Sequence, residues 1–215
     1  MIKIAVNSNK KYFGSTYNEV VDGLVESGVN REDIYFFVGG YEKYDLFVDD
    51  GVNVYKCDNN SIDFTCLIGI VELDLKSDHW FVIHDTVFIG KEFYSKIKDF
   101  DKDQLATPIY VGMSSNMGMY SDKLIQEKKQ SILDKKNIDY SEQSIQNYKK
   151  LNVKWEDFLI NEYKSKAYCK EAPVTHGPSD VYGNGVQRII EYHECIDLYK
   201  IKANWHLRDS YEVNL

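Results

Sequence analysis

Short apolar runs alternate with amphipathic stretches along the first half of the chain. Ile2 to Val6, Asp33 to Val38 and the shorter Val52 to Cys57 have the length and apolar content of strands. Between the first two, Thr16-x-x-Glu19 has capping-box spacing, and Val20, Val21, Leu24 and Val25 share one side of a helix that stops near Gly28. Strand, helix, strand at these lengths predicts a βαβ unit with a parallel pair. Phe64 to Leu75 reads as an apolar helix packed on that sheet, with Asp63 or Ser61 as its N-cap. Trp80-Phe-Val-Ile83 then has the unbroken apolarity of a strand buried on both faces.

The second half is less regular. Lys91 to Phe100 predicts a short helix, Pro108 to Gly112 a strand, and Met113 to Gly118 a polar loop. Residues 121–165 read as mostly helical, with interspersed Lys, Glu and Gln, and are expected to pack outside the sheet and carry little chemistry. Ala172 to Asp180 holds two of the chain's three prolines and reads as a loop. Val186 to Tyr192 and Cys195 to Ile201 alternate like paired strands and predict a late β-hairpin. Together these elements predict one α/β domain spanning residues 1–215: a mostly parallel, Rossmann-like central sheet flanked by helices, closed by the hairpin.

Composition narrows the function classes. A net charge of −8 argues against general nucleic-acid binding, which needs a basic surface, and leaves room for a local basic cleft. Cys57, Cys66, Cys169 and Cys195 form no C-x-x-C pair and no zinc spacing, which predicts free thiols in a reducing compartment. The chain shows no basic-then-apolar signal pattern, and its apolar runs are short of a membrane span. The expectation is a soluble, cytoplasmic protein.

The chemistry is expected at the strand ends. His84-Asp85-Thr86 is a polar triplet between the apolar runs Trp80–Ile83 and Val87–Ile89, a costly placement unless its groups find partners. Open α/β sheets place ligands at the carboxyl ends of their strands. The polar loops Asn7–Gly14, His84–Thr86 and Ser114–Gly118 all follow predicted strands, so one cleft is expected to collect them.

On these residues the chain resembles the GT-A-fold, nucleotide-sugar-dependent glycosyltransferases. Ser8-Asn9-Lys10-Lys11-Tyr12 stands where glycogenin-like members carry a Thr/Ser-Asn-x-x-Tyr loop that holds the nucleotide. His84-Asp85-Thr86 stands in place of their metal-binding Asp-x-Asp, with one carboxylate where that motif has two. Asn116-Met117-Gly118 matches their Asn-x-Gly loop along the donor sugar. Phe81-Val-Ile-His-Asp-Thr86 and Tyr199-Lys-Ile-Lys-Ala-Asn-Trp205 are further similar to the chlorella-virus glycosyltransferase domains that build a capsid glycan.

The resemblance implies nucleotide contacts from Ser8, Asn9 and Tyr12, donor-sugar contacts from Ser115, Asn116 and Gly118, and a Mn²⁺ or Mg²⁺ ion at Asp85 and His84. Asp63 carries a ribose or base contact as the alternative to capping. The family's late basic element is absent as such. Lys200-x-Lys202 and His206 are the favoured substitute, as diphosphate and metal contacts, with His176-Gly177 as the other. Asp78 is a candidate base for an inverting transfer if its strand is short or bent enough, and otherwise a plain helix–strand linker.

The implied activity is transfer of a hexose or 6-deoxyhexose, such as rhamnose, from a UDP-sugar to a glycan or glycoprotein acceptor, with further domains in a longer chain. A second class is a GT-A-like module that binds a nucleotide sugar or carbohydrate with little turnover. A nucleotidyltransferase ranks last, because Asn7–Gly14 holds one glycine and is no Gly-rich phosphate loop.

Overall fold

The computed structural model describes residues 1–110, 117–155, 158–159, 161–183 and 185–203. Its main sheet has seven strands in the order β3-β4-β2-β1-β5-β8-β7. The centre is parallel: β4 (Val52–Lys56), β2 (Ile34–Gly39), β1 (Ile2–Asn9) and β5 (His79–His84) run side by side in one direction. Antiparallel strands flank this centre, with β3 (Asp45–Asp49) beside β4 and then β8 (Gly118–Ser121) and β7 (Ala106–Pro108) beyond β5.

The central strands are covered on both faces, which is why they read as continuous apolar runs. Ile4, Val6, Phe36, Val38, Phe81 and Ile83 point to one side, against helices α1 (Phe13–Glu26) and α3 (Phe93–Lys98). Ala5, Tyr35, Phe37, Trp80 and Val82 point to the other, against α2 (Thr65–Glu72), α4 (Asp122–Glu127) and α5 (Lys129–Leu133). Fully burying one large apolar side chain is worth about 1.5–3 kcal/mol. Two such layers fix the strand register, and the strand-end residues follow from it.

Local departures from the sequence pattern have physical causes. Helix α1 begins at Phe13, a turn before the Thr16-x-x-Glu19 spacing, so Thr16 is a helical residue and caps nothing. The helix ends as expected, with the Gly28 and Val29 N–H groups bonded to the Val25 and Leu24 carbonyls. Neither Asp63 nor Ser61 caps α2. The Asn7 side-chain carbonyl, at the end of β1, accepts the Cys66 N–H at 2.9 Å instead. The β3–β4 hairpin is absent from the periodicity reading because all five β3 residues are exposed. Its turn was nevertheless encoded: Asp50 and Gly51 take φ 46° and 87°, the left-handed pair that Asp-Gly favours in a two-residue loop.

A second sheet has the order β6-β11-β10-β9. Strands β10 (Arg188–His193) and β11 (Leu198–Ala203) are the expected late hairpin, with Tyr192 opposite Tyr199. They join β6 (Val87–Ile89), directly after the central triplet, and β9 (Val174–Ser179), where a loop was expected. Val87 and Leu198 are buried in the same core as β1 and β5, so the two sheets share their packing. Cys169 and Cys195 form a disulfide, while Cys57 and Cys66 are free and buried. The expectation of four free thiols fails for that pair, and with it the argument from cysteines to a reducing compartment. Among the described residues no helix is long and apolar enough to cross a membrane.

Candidate functional site

Strands β1 and β5 lie adjacent and parallel, with Asn7 opposite His84. From β1 the chain leaves through α1 to β2 on one side, whereas β5 is reached by way of α2 from β4 on that same far side. The strand order therefore reverses between them, and such a switch point opens a crevice at the carboxyl ends of the strands. A cleft of about 600 Å³ occupies this place. Asn7, Ser8 and Asn9 reach it from β1, and His84, Asp85 and Thr86 from the end of β5. Asn60, Ile62 and Asp63 come from the loop before α2, and Lys11 and Tyr12 from the start of α1. A smaller pocket of about 440 Å³ adjoins it across Asn9, Lys11, Asn60 and Tyr140, and adds Lys10 and Gly40.

Asp85 is the most enclosed charge in the cleft, at 7% exposure. Its Oδ2 accepts the Ser8 hydroxyl at 2.6 Å and the Thr16 hydroxyl at 3.2 Å, and its N–H donates to the Asn7 carbonyl at 3.1 Å. Burial raises its carboxyl pKa above the ordinary range, opposed by the Ser8 bond, the His84 charge and the Thr16 bond. Asp85 thus has partners, and they come from β1 and α1. Asp85 does not cap the segment that follows it.

Beside it, His84 Nδ1 lies 3.5 Å from Asp63 Oδ1, with both side chains largely buried. Asp63 therefore faces an imidazole across the cleft floor. Asn7 and Asn9 brace the walls: Asn7 bonds the backbone at Ile62 and Cys66, and Asn9 donates to the Asn60 side chain at 2.8 Å. Tyr12 stands at the rim, 38% exposed, with its hydroxyl pKa raised chiefly by burial.

Ser8, Asn9, Tyr12, Asp63, His84 and Asp85, far apart in sequence, all line this one cleft. Ser8 points at Asp85 and so serves the carboxylate directly. Asp78 is not brought in. It precedes the straight six-residue β5, on the order of 20 Å from the cleft at about 3.3 Å per residue, and pairs with the Met1 amino group. Lys200 and Lys202 lie on β11 outside the cleft lining: Lys200 is buried opposite Val87, and Lys202 bonds Glu191 at 2.8 Å. The late hairpin still reaches the triplet through its backbone, by an Ile201 N–H bond to the Thr86 carbonyl at 2.8 Å.

Gly118 lies in β8 and not in a loop. A Cβ there would sit 2.6 Å from the Thr107 carbonyl oxygen, so the close approach of β7 accounts for the missing side chain. Ser115, Asn116 and His206 lie outside the described residues.

No protein-family model, curated protein or solved structure matches this chain.

The unforeseen part of the site is its outer wall. Helix α6 (Glu142–Trp155) and the preceding Tyr140 close the cleft with Glu142, Ile145, Gln146 and Lys149. The region assigned little chemistry thus contributes five lining residues. The signal was present, since positions 142, 145, 146 and 149 have the i, i+3, i+4, i+7 spacing of one helix face. It was masked by polar residues, because a face turned to a wet cleft carries no apolar stripe. Lys11 and Lys149 line the cleft, whereas Lys200 and Lys202 do not.

Proposed function

We propose that the chain is a GT-A-type glycosyltransferase, dependent on Mn²⁺ or Mg²⁺, that moves a hexose or 6-deoxyhexose from a UDP-sugar to a glycan acceptor. The observation that carries this reading is the buried Asp85 carboxylate at the switch point between β1 and β5, tied by one oxygen and flanked by Tyr12 and lysine side chains. The order of the residues along the chain supports it: the nucleotide loop follows the first strand and the carboxylate ends the central one, as in the glycosyltransferases the sequence resembles. Sugar class and capsid-glycan context rest on that resemblance alone.

The residues fit a hard divalent cation. Such ions take oxygen ligands and keep several waters and substrate oxygens, so one or two protein ligands suffice. Asp85 Oδ2 is committed to Ser8 and Thr16, while Oδ1 takes neither hydroxyl. Anchoring of one carboxylate oxygen while the other is offered is how ligating carboxylates are commonly held. Asp85 would hold the ion, with His84 beside it; when bound, the ion neutralises charge developing on the departing diphosphate. Tyr12 offers a face on which a base stacks. Lys11 and Lys149 bring positive charge to the phosphates, and Asn9 with Asn60 sets the floor beneath the nucleoside.

A screen of UDP-sugars for Mn²⁺-dependent UDP release tests the proposal. Release from one donor supports it, and release from none, in a protein that does not bind UDP, overturns it. The lone carboxylate of the His84-Asp85-Thr86 triplet favours a second reading, a module that binds nucleotide sugar without turnover. Calorimetric UDP binding with neither hydrolysis nor transfer is its signature.

A further inference from the structure

Two hydroxyls from different elements converge on one atom. Ser8, in β1, donates its proton to Asp85 Oδ2 at 2.6 Å, and Thr16, one turn into α1, shares its single proton between that oxygen and the Tyr12 carbonyl, each at 3.2 Å; both residues are buried. Neither bond is needed to build its own element. The β1–β5 ladder runs through the backbone from Ile2 to Asn7, and the Tyr12 carbonyl alone would satisfy the Thr16 hydroxyl within α1. Thr16 is not among the residues that line the cleft; it meets them through Tyr12 and Asp85. The share of its proton that goes to Asp85 therefore has its consequence through the carboxylate. The Ser8 bond and the shared Thr16 bond both resist rotation of the carboxylate and so limit the directions that Oδ1 can take.

We propose that Ser8 and Thr16 are positioning residues, which pin Asp85 Oδ2 so that Oδ1 is presented to a divalent cation in the cleft. This rests on the metal-dependent reading above. It adds a role for a residue outside the cleft, and it reassigns Ser8 from nucleotide contact to support of the carboxylate. Outer-shell partners of this kind change metal affinity by about 10–100-fold when removed.

The test compares wild type with Thr16→Val, Thr16→Ser and Ser8→Ala. Mn²⁺ binding is followed by electron paramagnetic resonance, UDP affinity by calorimetry with and without Mn²⁺, and folding by thermal melting. Thr16→Val keeps the shape of the side chain and removes the donor. It is expected to weaken Mn²⁺ binding at least about tenfold, with UDP affinity in the absence of metal unchanged. Thr16→Ser restores the hydroxyl and is expected to restore Mn²⁺ binding, whereas Ser8→Ala lowers it as Thr16→Val does. Equal Mn²⁺ affinity in wild type and Thr16→Val overturns the positioning role, and so does a loss that Thr16→Ser fails to repair while melting normally. Wild type that binds no Mn²⁺ also overturns it. Wild type that binds Mn²⁺ but no UDP overturns the nucleotide reading instead, and the variants still decide the positioning role on the metal alone.

Discussion

The two walls of the cleft are built on different physics. The inner wall is the sheet edge, where Asn7, Ser8 and Asp85 are buried and each is held by contacts distant in sequence. The outer wall, residues 136–149, packs Tyr148 against the second core layer and is otherwise attached through polar groups. Asn137 exchanges bonds with Asn60 and Ser61, Tyr148 donates to the Ser61 carbonyl at 3.1 Å, and Lys136 pairs with Asp58 and Glu72 at 2.9 and 2.7 Å. Tyr140, 40% exposed, adds one bond to the Tyr41 carbonyl. A wall set by two apolar core layers holds geometry, whereas one set by surface hydrogen bonds and ion pairs, each worth about 1 kcal/mol or less net, yields more easily to a ligand. Chemistry that needs fixed atoms belongs on the inner wall, and adaptable contacts belong on the outer one.

Asp85→Asn is the most severe test of the inner wall. The substitution keeps the shape and removes the charge from the inner wall. Mn²⁺-dependent UDP release is expected to fall at least about a hundredfold, since one lost stabiliser of transition-state charge costs about 2.7–4 kcal/mol. Stability should move the other way. Burial raises the Asp85 pKa, so the folded state binds its proton more readily than the unfolded state does. The ionised group therefore lowers stability once the pH rises through the folded pKa, and below the ordinary carboxylate range the penalty is gone. The variant should melt at or above the wild-type temperature near neutral pH, with the gain vanishing in acid. Near-normal release with a lower melting temperature would make Asp85 a structural tie between the end of β5, β1 and α1.

The inner wall was largely legible in the sequence because burial on both faces leaves a plain mark. Trp80–Ile83 and the polar triplet after it told where the central strand ends, and Asn9, Tyr12 and Asp63 fell into the same cleft. What misled were patterns whose meaning depends on a partner elsewhere. Thr16-x-x-Glu19 has capping-box spacing, but the Thr16 hydroxyl is used by Asp85 and by the carbonyl of Tyr12. Asp63 looked like a cap and faces His84, because Asn7 had taken the capping role from another strand. Lys200 and Lys202 share a face of β11 and lie outside the cleft lining, and no local pattern tells which side of a second sheet meets a ligand. The outer wall was illegible for the same reason. Its polar face acquires meaning only when the 58–63 loop is brought against it.

Two smaller effects sharpen the inner wall. Asn7→Ala removes the acceptor for the Cys66 N–H and the donor to the Ile62 carbonyl, and loss of such a cap costs about 0.5–2 kcal/mol. A lower urea midpoint with an unchanged slope is the expected result, and no change would show that α2 holds its first turn without Asn7. Tyr12→Ala leaves melting unchanged, because the ring is at the rim. It should weaken UDP binding by about 0.5–1.5 kcal/mol, from a few-fold to about tenfold, if a base stacks there. Unchanged affinity would move the base site toward the smaller pocket beside Gly40 and Tyr140.

The smallest expected effect decides where the cleft's positive charge comes from, and so whether the outer wall takes part in binding at all. Lys149 lines the cleft from exposed helix surface, whereas Lys202 is largely buried and bonded to Glu191 outside it. An exposed ammonium acting on a phosphate through water is worth about 0.2–1 kcal/mol, and the interaction weakens as salt rises. Lys149→Ala is therefore expected to lower UDP affinity about two- to fivefold at low ionic strength, with the difference fading near 1 M salt, where the screening length is about 3 Å. Lys202→Ala should leave UDP affinity unchanged and lower the melting temperature, since it strands the Glu191 carboxylate in a largely buried position. The two variants, titrated with UDP by calorimetry at two salt concentrations, give opposite patterns if the phosphates lie against α6. The reverse result, affinity lost with Lys202 and kept without Lys149, would place the diphosphate against the small sheet and make the outer wall a bystander.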